Sequence, residues 1–286
     1  MTELEHTYIQ TNGVRLHVVQ AGPPDGPPVI LLHGFPEFWY GWHHQIPALA
    51  NAGYCVWIPD QRGYNLSDKP QGLDAYNIDV LAADVIGLID AAGRERACVV
   101  GHDWGAAVTW RVANRFPHRI AKAAVLNVPH PYVMGKYIRR SWRQMRRSNY
   151  IAYFQIPALP ERMLAADNWQ PMVAALKRTA PTGLFSDDDI ARYRSAWSQP
   201  GAMTAMLNWY RAFVQRPVSW SPSPRVKPPM MMIWGTADAA LAAEMAPLSM
   251  ELCDNGRLHL LEGVSHWVQH QASEEVNRLL LEYLAE

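Results

Sequence analysis

Val99-Val100-Gly101-His102-Asp103-Trp104-Gly105-Ala106 joins an apolar run to a helical one, with a glycine two residues before and two residues after Asp103. A chain that turns from strand into helix in so short a space needs neighbours without side chains and holds the central residue in strained geometry, the pattern of a nucleophile elbow. Helix capping alone would account for an Asp here but not for both glycines. The helix opening at Trp104 points its free N–H groups and the positive end of its dipole at the same place, which favours an anion. Serine commonly sits at the centre of such an elbow, and Asp103 changes the chemistry. A carboxylate of ordinary pKa, about 4, is ionised at neutral pH and attacks without a base. Attack on an acyl group would leave a labile anhydride, whereas attack on an sp3 carbon leaves an alkyl ester. The expected substrate is therefore an alkylating electrophile, such as an epoxide or an alkyl halide, and a serine-type esterase is excluded.

Outward from the elbow, short β-branched runs alternate with helical stretches from Tyr8 to about Leu126. Val29 to Leu32, Tyr54 to Ile58, Ala97 to Gly101 and Ile120 to Leu126 read as strands, and Tyr76 to Ala92 and Trp104 to Phe116 as helices. Continuous apolar strands separated by helices imply an α/β fold, with a mostly parallel sheet covered on both faces. The rhythm stops after Pro129. Residues 130–216 are helical in period, rich in Trp, Tyr, Met and Arg, and read as a helical cap inserted in a core made of residues 1–129 and 217–286. Pro217 to Pro229 carries five prolines, which suit an extended connection rather than a helix. Met230 to Trp234 and Arg257 to Leu261 read as the last strands, and Glu274 to Leu284 as a closing amphipathic helix.

A chain of 286 residues, 49% apolar, can bury one large core with a smaller unit inserted in it. With 26 basic and 26 acidic residues it shows no charge excess toward nucleic acid or an anionic membrane. Arg139, Arg140, Arg143, Arg146 and Arg147 recur at helical spacing and read as a solvated face. The three cysteines, at 55, 98 and 253, have unrelated spacings and are expected to be reduced thiols. No basic start followed by an apolar stretch opens the chain and no apolar run approaches a membrane span, so a cytoplasmic enzyme is expected.

An alkyl ester must be cleaved by water, which calls for a base and a group to orient it. Asp238 follows one expected strand and His266 the next, so the chain order is nucleophile, acid, histidine. A histidine can take a proton from water near neutrality, and a carboxylate on its far nitrogen fixes the tautomer. His270, one helical turn on, competes for the base role, but His266 sits in the strand-to-helix loop. His102 should point away from the elbow and serve packing. In Leu31-Leu32-His33-Gly34-Phe35-Pro36-Glu37 the loop after the first long strand supplies a backbone N–H, so Phe35 and Trp104 are the expected oxyanion donors. Each such donor is worth about 3 kcal/mol in the transition state.

These segments together resemble the soluble epoxide hydrolases of the α/β-hydrolase superfamily over nearly the whole chain. The matching stretches are His33-Gly34-Phe35-Pro36-Glu37, Trp39-Tyr40-Gly41-Trp42 through Gln45-Ile46-Pro47-Ala48-Leu49, Asp60-Gln61-Arg62-Gly63-Tyr64, Gly101-His102-Asp103-Trp104-Gly105 and Ser265-His266-Trp267. Asn149-Tyr150-Ile151-Ala152-Tyr153-Phe154-Gln155 and Leu207-Asn208-Trp209-Tyr210-Arg211 resemble two family segments that each lend a tyrosine above the nucleophile. The resemblance implies an α/β-hydrolase fold, with Tyr150 and Tyr210 binding the epoxide oxygen and Tyr153 the rival for the first position. A phenol stays protonated at neutral pH and can donate to a departing alkoxide. Asn65 stands where the family often has glycine, and Gln269-His270-Gln271-Ala272 lacks the family's usual acidic residue and proline.

The expected activity is conversion of an epoxide and water to a vicinal diol through an ester on Asp103, with no cofactor and no metal. Phe35, Trp104, Tyr153, Phe154 and Trp209, with Met134, Trp169 and Phe185, suggest an apolar aromatic pocket and a lipophilic or aromatic epoxide. A homodimer is left open; nucleic acid and membrane are not expected partners. A haloalkane dehalogenase would share the Asp nucleophile and Trp104, yet would not need two cap tyrosines and often has Asn where this chain has Phe35. A silent small-molecule binder would not need to keep Asp103, Asp238 and His266 together.

Overall fold

The structure, a computed structural model, describes residues 3–220 and 223–286. The strands are β1 (Glu5–Thr11), β2 (Val14–Ala21), β3 (Pro28–Leu32), β4 (Cys55–Pro59), β5 (Ala97–His102), β6 (Ile120–Leu126), β7 (Met230–Gly235) and β8 (Gly256–Leu261). They form one eight-stranded sheet in the order β1-β2-β4-β3-β5-β6-β7-β8. Pairing is antiparallel at β1–β2 and β2–β4, and parallel from β4 to β8. β3, β5 and β7 are almost wholly buried because both faces of the sheet are covered. α1 (Gln45–Asn51) packs with the final helix on one face, while α2 (Ile78–Ala91) and α3 (Trp104–Arg115) pack together on the other. Asn77 caps α2, its side chain accepting from the Asp79 N–H.

Between β6 and β7 come α4 (Pro131–Ile138), α5 (Trp142–Arg147), α6 (Tyr150–Phe154), α7 (Leu159–Thr179), α8 (Asp187–Trp197) and α9 (Ala202–Gln215), and no strand among the described residues. α7 is not one continuous rod: Ala166 to Trp169 leave helical geometry just before Pro171. The five arginines from Arg139 to Arg147 are exposed. The proline-rich return carries no regular element among its described residues beyond a bridge of Val226 to Cys253; Ser221 and Pro222 lie outside the described residues. After β7 come α10 (Met245–Met250), α11 (Val268–Gln271) and α12 (Ser273–Ala285). No helix of the described residues is long and apolar enough to cross a membrane. The three cysteines are free thiols.

Sheet register decides where the chemistry falls. Leu32 stands beside Gly101, Leu126 beside Ile233, and Gly235 beside Leu261. Phe35, Asp103, Asn127, Asp238 and His266 all follow shortly after those residues in the chain, so they gather beyond the carboxyl edge of the parallel strands. In open α/β sheets that edge is where ligands bind.

Candidate active site

Asp103 adopts φ 49° and ψ −121°, a left-handed conformation costly for a residue with a side chain. Its glycine neighbours are required by close approach rather than by φ. A Cβ at Gly101 would strike the backbone of Gly105, and one at Gly105 would strike the Leu32 carbonyl. The turn thereby lifts Asp103 to the head of α3. The Phe35 N–H donates to Asp103 Oδ1 at 2.7 Å. Trp104 opens α3, so its N–H belongs to the first-turn amides that lack an intrahelical acceptor.

His266 Nε2 lies 3.5 Å from Asp103 Oδ2, and His266 Nδ1 lies 2.7 Å from Asp238 Oδ2. Asp238 Oδ1 accepts the N–H groups of Ala240 and Leu241 at 2.7 and 2.9 Å. Asn127 donates to Asp238 Oδ2 at 2.8 Å while its own Oδ1 accepts the Gly235 N–H at 2.8 Å. Burial alone would lift the Asp103 and Asp238 carboxyls. The histidine charge and their hydrogen bonds outweigh it and hold both below the usual carboxylate value. Burial likewise pulls His266 down, but the Asp238 charge, hydrogen bonds to both carboxylates and the Asp103 charge raise it to about 10. All three shifts favour the charged forms, a histidine cation between two carboxylates.

His270 is not part of it. Its Nε2 donates to Glu37 Oε1 at 2.7 Å. His102 does point away from the elbow, and its role is polar rather than simple packing: Nε2 meets the His266 carbonyl at 2.9 Å and Nδ1 meets Glu37 at 3.2 Å. Sequence reasoning assigned no role to Asn127 or Glu37. Glu37 lay inside a quoted motif, and Asn127 directly follows a strand ending level with the elbow, a position that could have drawn notice.

Tyr150 and Tyr210 meet edge to face, ring centroids 5.8 Å apart, and Tyr210 packs against Trp104 and Phe35. Both line a cavity of about 90 Å³ whose floor is Asp103 and Trp104, with Met134, Ile151 and Leu241 in its wall. Burial, and after it mainly neighbouring negative charge, pushes both phenols above their ordinary pKa, so they remain donors. Tyr153 does not line this cavity; its ring lies 6.0 Å from Phe154.

The walls differ from expectation in other ways too. Phe35, Phe154 and Trp209 stand behind the cavity: Phe154 packs on Phe35 and Tyr210, and Trp209 donates its indole N–H to the Arg62 carbonyl at 3.0 Å. Trp209 borders instead an adjoining cavity of about 450 Å³ that shares Trp104, Ala107, Pro131 and Phe213 with the first. Trp169 donates to Ser198, and Phe185 packs on Tyr193 and Trp267. Aromatic identity did not tell wall from packed layer: Trp104, Tyr150, Tyr210 and Phe213 do face the cavity, beside Val128, Pro129, Pro131, Ile151 and Leu241. Asn65 takes φ 38° and donates to Asp60 at 2.8 Å, so it fills the place of a glycine without breaking the loop.

Residues 27–273 match the family model described as alpha/beta hydrolase fold. The chain is 47% identical over 277 residues to the AB hydrolase superfamily protein YfhM of Bacillus subtilis, covering 97% of this chain and 96% of the relative. It is 38% identical to Epoxide hydrolase A of Mycobacterium tuberculosis, covering 96% of each. The crystal structure of Bacillus megaterium epoxide hydrolase in complex with an inhibitor superimposes with a TM-score of 0.88 at 33% identity, covering 98% of this chain and 100% of that one. By fold, by sequence and by the company of these relatives, the chain belongs to the α/β-hydrolase family and is a hydrolase.

Proposed function

We propose that the protein hydrolyses epoxides to vicinal diols through a covalent ester on Asp103, and that the helices of residues 131–215 act as a cap over that site. The observation that carries this is the pairing of an ionised Asp at the elbow with two protonated phenols across one small cavity. An epoxide fits such a pair, because its carbon needs a nucleophile while its oxygen needs a donor.

In the first step an Asp103 oxygen bonds to a ring carbon, the ring C–O bond breaks, and Tyr150 and Tyr210 stabilise the emerging alkoxide, one of them giving it a proton. The imidazolium of His266 replaces that proton, so the ester forms beside a neutral imidazole. Losing the Asp103 charge removes part of what held His266 near 10, and the histidine becomes a base when a base is wanted. In the second step His266 takes a proton from water, the resulting hydroxide adds to the ester carbonyl, and the oxyanion rests on the N–H groups of Phe35 and Trp104. Collapse expels the diol and restores carboxylate and imidazolium. Asp238, with Asn127 behind it, holds the imidazole throughout.

The small apolar cavity and its larger neighbour suit a lipophilic or aromatic epoxide. The test is a His266→Gln variant mixed with styrene oxide. Mass spectrometry is expected to find one substrate mass added to Asp103, while the unaltered enzyme releases diol and Asp103→Ala releases none. An unmodified Asp103 in the histidine variant would contradict the covalent route, and halide release from haloalkanes without diol formation would overturn the part given to the tyrosines.

A further inference from the structure

His43, His44 and His270 bring one ring nitrogen each to within 4.8 Å of one another, with the His270 ring 5.1 Å from that of Phe185 between α7 and α8. His43 follows the turn Trp39–Trp42, His44 precedes α1, and His270 lies in α11, so two distant parts of the chain meet here. The rings lie close, with centroids 3.9 Å apart for His43 and His44 and 5.5 Å for His43 and His270. His43 is half-buried, His44 exposed and His270 buried.

Hydrogen bonding fixes what two of these rings can offer. The Tyr40 carbonyl, 2.8 Å from His43 Nδ1, can only accept, so Nδ1 carries the proton and Nε2 keeps its lone pair. The Glu37 carboxylate, 2.7 Å from His270 Nε2, also accepts, which leaves Nδ1 of His270 unprotonated. A carboxylate or a backbone carbonyl behind a neutral imidazole is the usual outer support of a metal-ligating histidine, fixing tautomer and ring orientation. Tyr40 stacks flat on His43 at 4.3 Å and steadies that ring further. His44, exposed at the surface, can close the set from the solvent side.

We propose that these three imidazoles form a binding site for a divalent transition-metal ion, separate from the Asp103 site and not needed for its chemistry. All-nitrogen imidazole donors suit zinc, copper, nickel or cobalt rather than magnesium or calcium. Ring nitrogens up to 4.8 Å apart must draw together to reach bonds of about 2.0–2.1 Å, and His44, the exposed one, is the ring to move. An ion held there would tie α11, which directly follows His266 and Trp267, to the loop leading into α1.

The test is calorimetric titration of the untagged, chelator-treated full chain with zinc chloride, beside His44→Gln and His43→Gln. One zinc per chain is expected for the unaltered protein. Loss of a ligand should weaken binding by at least the roughly 10–100-fold that follows loss of an outer-shell partner. Diol formation by metal-free His44→Gln should match that of the unaltered enzyme, which shows that the variant is folded. Cobalt should give a visible absorption band that is lost in His44→Gln. Absence of zinc binding at millimolar concentration, or binding that neither variant weakens, would overturn the proposal. Magnesium binding at the same three residues would overturn the choice of metal class.

Discussion

At Asp103 and His266, opposite charges are packed so tightly that protonation and stability become one question. His266 holds its proton up to about pH 10 when folded but only to 6.5 when unfolded, so its contribution is full below pH 6.5 and fades as pH rises through that window. The two carboxyls are depressed below 3.8, so theirs is present above that value and lost in acid. An Asp103→Asn variant removes one of the groups that raise His266. Its urea midpoint should therefore fall less between pH 6.5 and pH 10 than that of the unaltered protein. Parallel curves would mean that Asp103 does not set the histidine. The phenols make a second case. Tyr150→Phe and Tyr210→Phe each keep the ring packing and remove one donor, and each should lower kcat/KM for an epoxide by about 10²-fold, the lower end for general acid catalysis. Because the other phenol still donates, the double variant should lose far more than either. An equal loss in single and double variants would assign the work to one tyrosine.

The elbow is an element whose geometry depends on absent atoms. A Gly105→Ala substitution puts a methyl group against the carbonyls of Leu32 and His33, which are backbone and cannot swing aside. Overpacking of this kind costs about 1–3 kcal/mol, and here it also shifts Asp103 relative to Phe35. Urea denaturation should show the loss, and diol formation should fall by more than the unfolded fraction explains; full activity with reduced stability would show that β3 and α3 separate without moving Asp103. The elements legible in the sequence were those whose apolar periodicity is strong: β3 to β8, α2, α3 and the closing helix fall within a residue or two of expectation. The α/β fold followed from them. The hairpin of β1 and β2 did not stand out, because β1 alternates polar and exposed residues at the sheet edge. Its signal was nonetheless present in Asn12-Gly13, where both residues take positive φ, 43° and 76°, as a tight hairpin turn requires. α1 and α10 are six or seven residues long with an internal proline, too short to show a period. Around the site, Asp103, Asp238 and His266 stood out because glycine spacing and strand ends flank them. The cavity walls did not, because whether an aromatic ring faces a cavity or the core behind it depends on how the helices are set over the sheet.

Across the whole molecule, one buried carboxylate joins layers that the chain order keeps apart. Glu37, in the loop after β3, accepts from His270 and Gln269 on α11 at 2.7 and 2.9 Å, from Tyr193 on α8 at 2.8 Å, and meets His102 at the end of β5 at 3.2 Å. It is 1% exposed, and although burial alone would raise its carboxyl, the His270 and His102 interactions hold it well below the ordinary value. Sheet, α11 and the helices above are thus tied at a single ionised group, directly behind the His266 carbonyl that His102 meets. Glu37→Ala would leave four polar side chains facing one another without their shared partner, and at about 1–3 kcal/mol for each buried group left unsatisfied its cost should reach several kcal/mol. Tyr193→Phe removes one spoke only and should cost about 1.5–3 kcal/mol, near that of a single hydrogen bond to a charged group. Urea denaturation of the two variants measures the difference. If Glu37→Ala costs no more than Tyr193→Phe, water has entered and satisfied the remaining groups, and the layers are held by apolar packing alone. A large gap between the two places the junction of sheet and upper helices on this carboxylate, and His270→Gln should then fall between them because it gives up the ring's packing along with its short hydrogen bond to Glu37.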